Sequence, residues 1–121
     1  MKIQYLGTAA AEGIPAIFCE CETCKRTKLL GGKNIRTRSQ AVIDGRILID
    51  FPADTYAHYL KWNIPLDKIK ACIITHSHSD HLYPAEIQIR SAGFAHINSG
   101  KPLTFYAAES GYNMLADAVK K

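Results

Sequence analysis

The chain has 121 residues, 47% of them apolar and 21% charged, with a formal charge of +4. That is the balance of one soluble domain with a real core. No apolar run approaches the length of a membrane span, and Met1-Lys2 leads straight into a strand pattern rather than a signal peptide, so no membrane partner and a cytoplasmic setting are expected.

Ile3 and Tyr5 alternate with Lys2 and Gln4, predicting a strand over 2–6 that Gly7-Thr8 ends. An irregular stretch follows from Ala9 to about Ser39, broken by Gly13, Pro15, Gly31 and Gly32. A loop so long inside a compact domain needs something to tie it down. Within it Cys19, Cys21 and Cys24 form Cys-x-Cys-x-x-Cys. Cysteines this close make poor mutual disulfides, and an intracellular cluster of thiols points to a metal, here one structural zinc still short of a fourth ligand. Three free thiols in a surface loop are the plainer alternative. Basic residues bunch only at 25–28 and 33–38, which argues weakly for nucleic acid; the mild positive charge suits a small anionic partner.

Residues 40–43 and 46–51 form two strands joined across Asp44-Gly45, a strong hairpin signal. The run Ile47-Leu48-Ile49 is apolar throughout and predicts burial on both faces, with Asp50 closing the strand. A helix is expected over 53–62, with Tyr56, Tyr59 and Leu60 on one side. His58 lies within it, where a lone histidine is expected on the surface or partly buried. Asn63-Ile64-Pro65 breaks the helix, residues 66–69 make a brief turn, and a strand runs from Lys70 to Ile74 with Cys72 in its core. Beyond His81 the spacing of Leu82, Ala85, Ile89 and Ala92 predicts a second helix, with Pro84 in its first turn and Gly93 after its end. A strand over 101–107 and a helix over 109–121 complete the chain, and His96 sits in the loop between without a role.

The stretch Ile74 to His81, ITHSHSDH, concentrates the chemistry. His76, His78, Asp80 and His81 stand where a buried strand gives way to a loop. Imidazole and carboxylate in alternation suit zinc, manganese or iron, and a solvated turn needs no such set. Side chains two apart on an extended segment point the same way, so His76 and His78 can meet on one cation, while Asp80 and His81 serve a second.

His-x-His-x-Asp-His is the signature of the metallo-β-lactamase superfamily, and the chain resembles a member. The resemblance implies two divalent metals, zinc or manganese, ligated by His76, His78, Asp80 and His81. It also implies a shared hydroxide that Asp80 helps to orient, attacking a phosphodiester, ester or lactam. Asp50 matches in position a supporting aspartate near the metals and is assigned to support them without ligating. Gly7-Thr8 followed by the cysteine-rich loop resembles the cyclic-phosphate phosphodiesterase branch, which includes proteins of pyrroloquinoline quinone synthesis. That branch implies a structural zinc on Cys19, Cys21 and Cys24.

The fold so implied is α/β, the N-terminal half of a four-layer αββα sandwich, with one incomplete metallo-β-lactamase-like domain over 1–121. The further ligands that the second half would bring are not found in the sequence. A fragment of a hydrolase, one of two chains that assemble, and a small metal-binding protein all remain open. A half-sandwich bares an apolar sheet face, so self-association or pairing with the missing half is expected. The function expected is metal-dependent hydrolysis of a small or cyclic phosphodiester. The alternatives are a non-catalytic zinc-binding subunit and RNA processing of the ribonuclease Z type.

Overall fold

The alternation at Ile3 and Tyr5 becomes strand β1 (Ile3–Gly7). After a short helix α1 (Glu22–Leu30), the two apolar runs around Asp44-Gly45 become β2 (Gln40–Ile43) and β3 (Ile47–Ile49). Asp44 and Gly45 both take left-handed angles, φ 52° and 65°, and the Arg46 N–H closes the turn on the Ile43 carbonyl at 2.9 Å. These are the angles that match the twist of a two-residue hairpin. Helix α2 (Thr55–Trp62), strand β4 (Ala71–Ile73), a 3-10 segment (Pro84–Arg90), strand β5 (Thr104–Tyr106) and helix α3 (Glu109–Val119) follow. This computed structural model describes residues 1–91, 93–98 and 100–120.

All five strands join one mixed sheet in chain order. β1, β2 and β3 run antiparallel; β3, β4 and β5 run parallel, with crossovers through α2 and through the 3-10 segment. Val42, Leu48, Cys72 and Phe105 lie opposite one another across four strands. Residues so paired share one face. That face is covered: Phe51, Ile64, Ile69, Ile74, Leu82 and Leu115 pack with it into the core, and Phe105 meets Phe51 edge-on at 5.9 Å.

The opposite face carries the row Tyr5, Ala41, Ile49, Ile73 and Tyr106 across all five strands, flanked by Ile3, Ile43, Ile47 and Ala71. It is apolar and open, with Tyr5 66% and Tyr106 58% exposed. Residues 47–49 were expected to be buried on both faces. Instead Leu48 is buried while Ile47 and Ile49 are only half-buried, because no second layer lies over them among the described residues.

Four other expectations need correction. The stretch 9–39 is not irregular throughout, since α1 and a 3-10 turn (Gly32–Asn34) lie in it. Only Cys24 and Thr27 of α1 are buried, and Leu29 and Leu30 face solvent, so the helix has no apolar stripe to betray it. Residues 84–90 wind as a 3-10 segment rather than an α-helix. Pro84 brings no N–H, and the Tyr83 N–H just before it is committed to the Phe51 carbonyl, which fixes where the segment starts. His58 is fully buried, not superficial. Residues 101–103 precede β5 rather than belonging to it. Ala92 and Lys121, the expected ends of two helices, lie outside the described residues.

Candidate metal centre

β3 and β4 lie side by side and parallel, so both end at the same edge of the sheet. Asp50 leaves β3 there and Ile74-Thr75 leaves β4. Asp50 takes a left-handed backbone, φ 69°, which costs a non-glycine residue about 1–2 kcal/mol. Its backbone is held from both sides: the Asp50 N–H donates to Ile73 O at 2.8 Å, and Asp50 O accepts from Gln40 Nε2 at 3.1 Å. The strained turn aims a buried carboxylate across to the motif loop.

That carboxylate is the hub of the site. Oδ1 accepts from the Thr75 N–H at 2.7 Å and from Thr75 Oγ1 at 2.9 Å, while Oδ2 lies 2.6 Å from His81 Nδ1. A carboxylate only accepts, so the proton lies on His81 Nδ1, and the lone pair is left on Nε2. His81 Nε2 in turn sits 3.3 Å from Asp80 Oδ2. Thr75 has one hydroxyl proton, which the carboxylate takes, so Thr75 Oγ1 accepts from His76 Nδ1 at 3.0 Å and leaves His76 Nε2 bare. One buried aspartate thus sets the tautomer of two histidines, the arrangement that supports metal-bound imidazoles.

The backbone holds the loop in place. Phe51 N–H donates to His81 O at 2.8 Å and Tyr83 N–H to Phe51 O at 2.7 Å, a parallel bridge between Phe51 and Leu82. The three imidazoles gather with ring centres 4.6 Å apart for His76 and His78, and 4.0 Å for His76 and His81. The donor set, three imidazoles and a carboxylate with bare lone pairs, fits a divalent cation of the zinc or manganese class. The four do not close on one point: among the described residues, only Cys19, Cys21 and Cys24 bring three ligand atoms within 4.8 Å of one another.

The cysteine cluster is built on the N-terminus of α1. Cys21 caps the helix, its sulfur accepting the Cys24 N–H at 3.4 Å, and Cys24 Sγ accepts the Ala16 N–H at 3.3 Å. The Cys24 N–H and the neighbouring thiols hold the Cys21 thiol below its ordinary value. For Cys24 the Ala16 N–H pulls the same way, but bonding to Cys19 and burial outweigh it and the thiol is held above its ordinary value. Cys19 and Cys21 are exposed and Cys24 is buried. One low thiol beside two more, with amides on two of the sulfurs, is the chemistry of a zinc-binding knot. Cys72 belongs elsewhere: it is buried in β4, and burial with the nearby Asp50 charge pushes its thiol far up, which makes it inert.

Two contributors escaped the sequence reading. Thr75, the residue before the first motif histidine, links Asp50 to His76; a hydroxyl at the mouth of a strand gives no periodic signal. Arg38 lines a crevice of about 220 Å³ with Ser79, Asp80 and Tyr83, fixed by Asp54 at 3.0 Å and by Ala11 O at 3.0 Å. His96 lies in a separate cleft with Arg90 and Ile97.

No protein-family model matches the chain, and no curated protein matches it. Among solved structures it is similar to a diphosphatase of the PhnP family, with a TM-score of 0.74 and 28% identity over 98% of this chain and 45% of that one. Zinc-bound PqqB of Methylobacterium extorquens gives 0.71 and 23%, over 95% of this chain and 40% of that one. The short form of human tRNase Z gives 0.63 and 21%, over 99% and 40%. The chain therefore spans less than half the length of each of these three structures. These likenesses support the metallo-β-lactamase superfamily and an α/β metallohydrolase-like fold, without favouring one branch.

Proposed function

We propose that the chain carries the metal-binding half of a metal-dependent hydrolase acting on a small phosphodiester. The observation that carries this is the buried Asp50 carboxylate, 2.6 Å from His81 Nδ1, which leaves His81 Nε2 facing Asp80. An aspartate is not buried in a left-handed turn to orient histidines that do nothing. In this reading His76 and His78 hold one divalent cation, and Asp80 and His81 the second. Bound there, the pair supplies a water nucleophile at neutral pH and offsets the charge of a phosphoryl group.

The remaining roles fall to this chain's own groups. Asp50 keeps a proton on His81 Nδ1, and Thr75 does the same for His76. The second oxygen of Asp80 would accept a hydrogen bond from the attacking water and so orient it. Arg38, beside Asp80 in the crevice, meets the anionic substrate; its guanidinium is shared with Asp54 and still has donors to spare. The diphosphatase likeness, at 28% identity, favours a phosphate-ester substrate over a lactam.

A non-catalytic zinc-binding subunit is the second reading, and the cysteine cluster favours it, because that is the ligand set already drawn together. A ribonuclease Z-type activity has only a shared fold behind it. Hydrolysis of bis(p-nitrophenyl) phosphate, with the full-length protein or the partner half supplied, separates these. Turnover that His76→Ala abolishes supports the hydrolase; full metal loading without turnover on any ester leaves the zinc subunit. In either case no helix among the described residues is long and apolar enough to cross a membrane, and the free thiols go with a reducing, cytoplasmic setting.

A further inference from the structure

The basic run at 33–38 plays no part in the metal centre apart from Arg38, and the fold gives it a place of its own. Lys33 and Arg36 line a cleft of about 450 Å³ that Lys61 and Trp62 of α2 close from the other side, with Thr8 and Thr37 on its walls. That volume falls within the range of about 300–1,000 Å³ usual for small-molecule sites. No aspartate or glutamate lines it, and no motif residue does. None of its three cations has a carboxylate partner among the described residues. Like charges brought to one cavity without counter-charge repel one another, and an anion relieves that cost.

The walls are organised for such a guest. Arg36 is held at two points: Nε donates to Lys33 O at 2.9 Å and Nη1 to Thr8 Oγ1 at 3.2 Å, so Nη2 is uncommitted and the fork is fixed in advance. Thr37 Oγ1 pairs with buried His58 at 2.6 Å and makes a firm floor. Gly32, at φ 55°, has nothing within 4 Å of where a side chain would stand, which leaves the wall bare to a ligand. Lys61 lies over the Trp62 ring at 4.9 Å and is held near the rim.

We propose that this cleft binds the phosphate group of a small phosphorylated molecule, with Lys33, Arg36 and Lys61 neutralising its charge. Its volume of about 450 Å³ suits one compact anion rather than a strand of nucleic acid. The site is independent of the metal centre, so either proposal can fail alone.

Trp62 is the only tryptophan of the chain and lines the cleft, so its fluorescence reports occupancy. Titration of the full chain at constant ionic strength with inorganic phosphate, and separately with adenosine monophosphate, is expected to give saturable changes. Tighter binding of the nucleotide assigns the site to a phosphorylated metabolite, and equal binding assigns it to the free phosphate group. The double variant Lys33→Ala/Arg36→Ala is expected to weaken binding about tenfold or more, since hydrogen bonds to charged groups are lost. Lys61→Gln, at an exposed side chain, is expected to weaken it as well and guards against a folding defect in the double variant. Lys28→Ala/Lys120→Ala removes the same charge elsewhere and should leave binding unchanged, as should His76→Ala. A response that does not saturate, or an equal loss in both double variants, overturns the site. Binding of a single-stranded RNA that phosphate cannot displace overturns it too.

Discussion

Asp50 concentrates more of this molecule's physics than any other residue. It accepts from Thr75 and His81 with its carboxylate and from Gln40 with its carbonyl, all while 2% exposed and left-handed. Asp50→Asn keeps the shape but replaces a charged acceptor with an amide, so His81 loses the partner that fixes its tautomer. Metal affinity at the motif is expected to fall about 10–100-fold, and the cysteine-bound metal to be retained, in competition against a chelator. Behind Asp50 stands a second layer: Gln40 also meets His58 Nδ1 at 2.6 Å, and His58 Nε2 meets Thr37 Oγ1. Burial holds His58 below its ordinary value of 6.5, with Asp54 opposing and Lys61 adding to the effect. The unfolded chain binds a proton there near pH 6.5 and the folded chain only at lower pH, so stability is lost as pH falls through that value. From about pH 7.5 to about pH 5.5 the melting temperature should drop. His58→Gln, though less stable throughout, should show a shallower drop in the same calorimetric series. Equal slopes would mean that His58 is not what titrates.

Helix α1 buries only Cys24 and Thr27, and a metal held by its cysteine cluster is expected to steady it. Cys21→Ala removes both its cap and one sulfur of the cluster. Amides 25–30 are expected to lose hydrogen-exchange protection while motif metal stays at the wild-type level. Loss of both metals together would mean that the two sites are not separate. The same element shows where a sequence speaks and where it is silent. β1, the hairpin and β4 were legible because alternation and Asp44-Gly45 act over neighbouring residues. The motif was legible because four candidate ligands, three histidines and an aspartate, stand within six positions. α1 was not, because its signals are a cysteine cap, Glu22 in the first turn and Gly31 at the end, with no apolar face between. The 3-10 winding of 84–90 depends on Phe51, more than thirty residues away, engaging Tyr83. His58 gave no sign of its burial because its partners, Thr37 and Gln40, reach it only through the fold. Nothing in local spacing carries contacts of that range.

At the scale of the whole molecule, the sheet has one satisfied face and one that is not. Each strand of the hairpin and of the parallel pair puts apolar side chains on both sides, yet the core lies on one side only. The open side presents Tyr5, Ile73 and Tyr106 in one row across the sheet, with Ile3 beside it, all 40% exposed or more. Apolar surface gains about 25 cal/mol for each Å² withdrawn from water, so a continuous face of this kind favours any partner that covers it. For the chain alone in solution, a second copy is the partner at hand. Light scattering at micromolar concentration should therefore give a mass above the 13.4 kDa of one chain. Ile73→Lys/Tyr106→Lys places two charges in the middle and edge of that face, and neither side chain belongs to the core cluster. The variant should return to a single-chain mass with its cysteine metal intact, because the covered face and α1 are untouched. A sharp single-chain peak from the unaltered protein would show instead that the face tolerates water, and pairing would then have to rest on another surface.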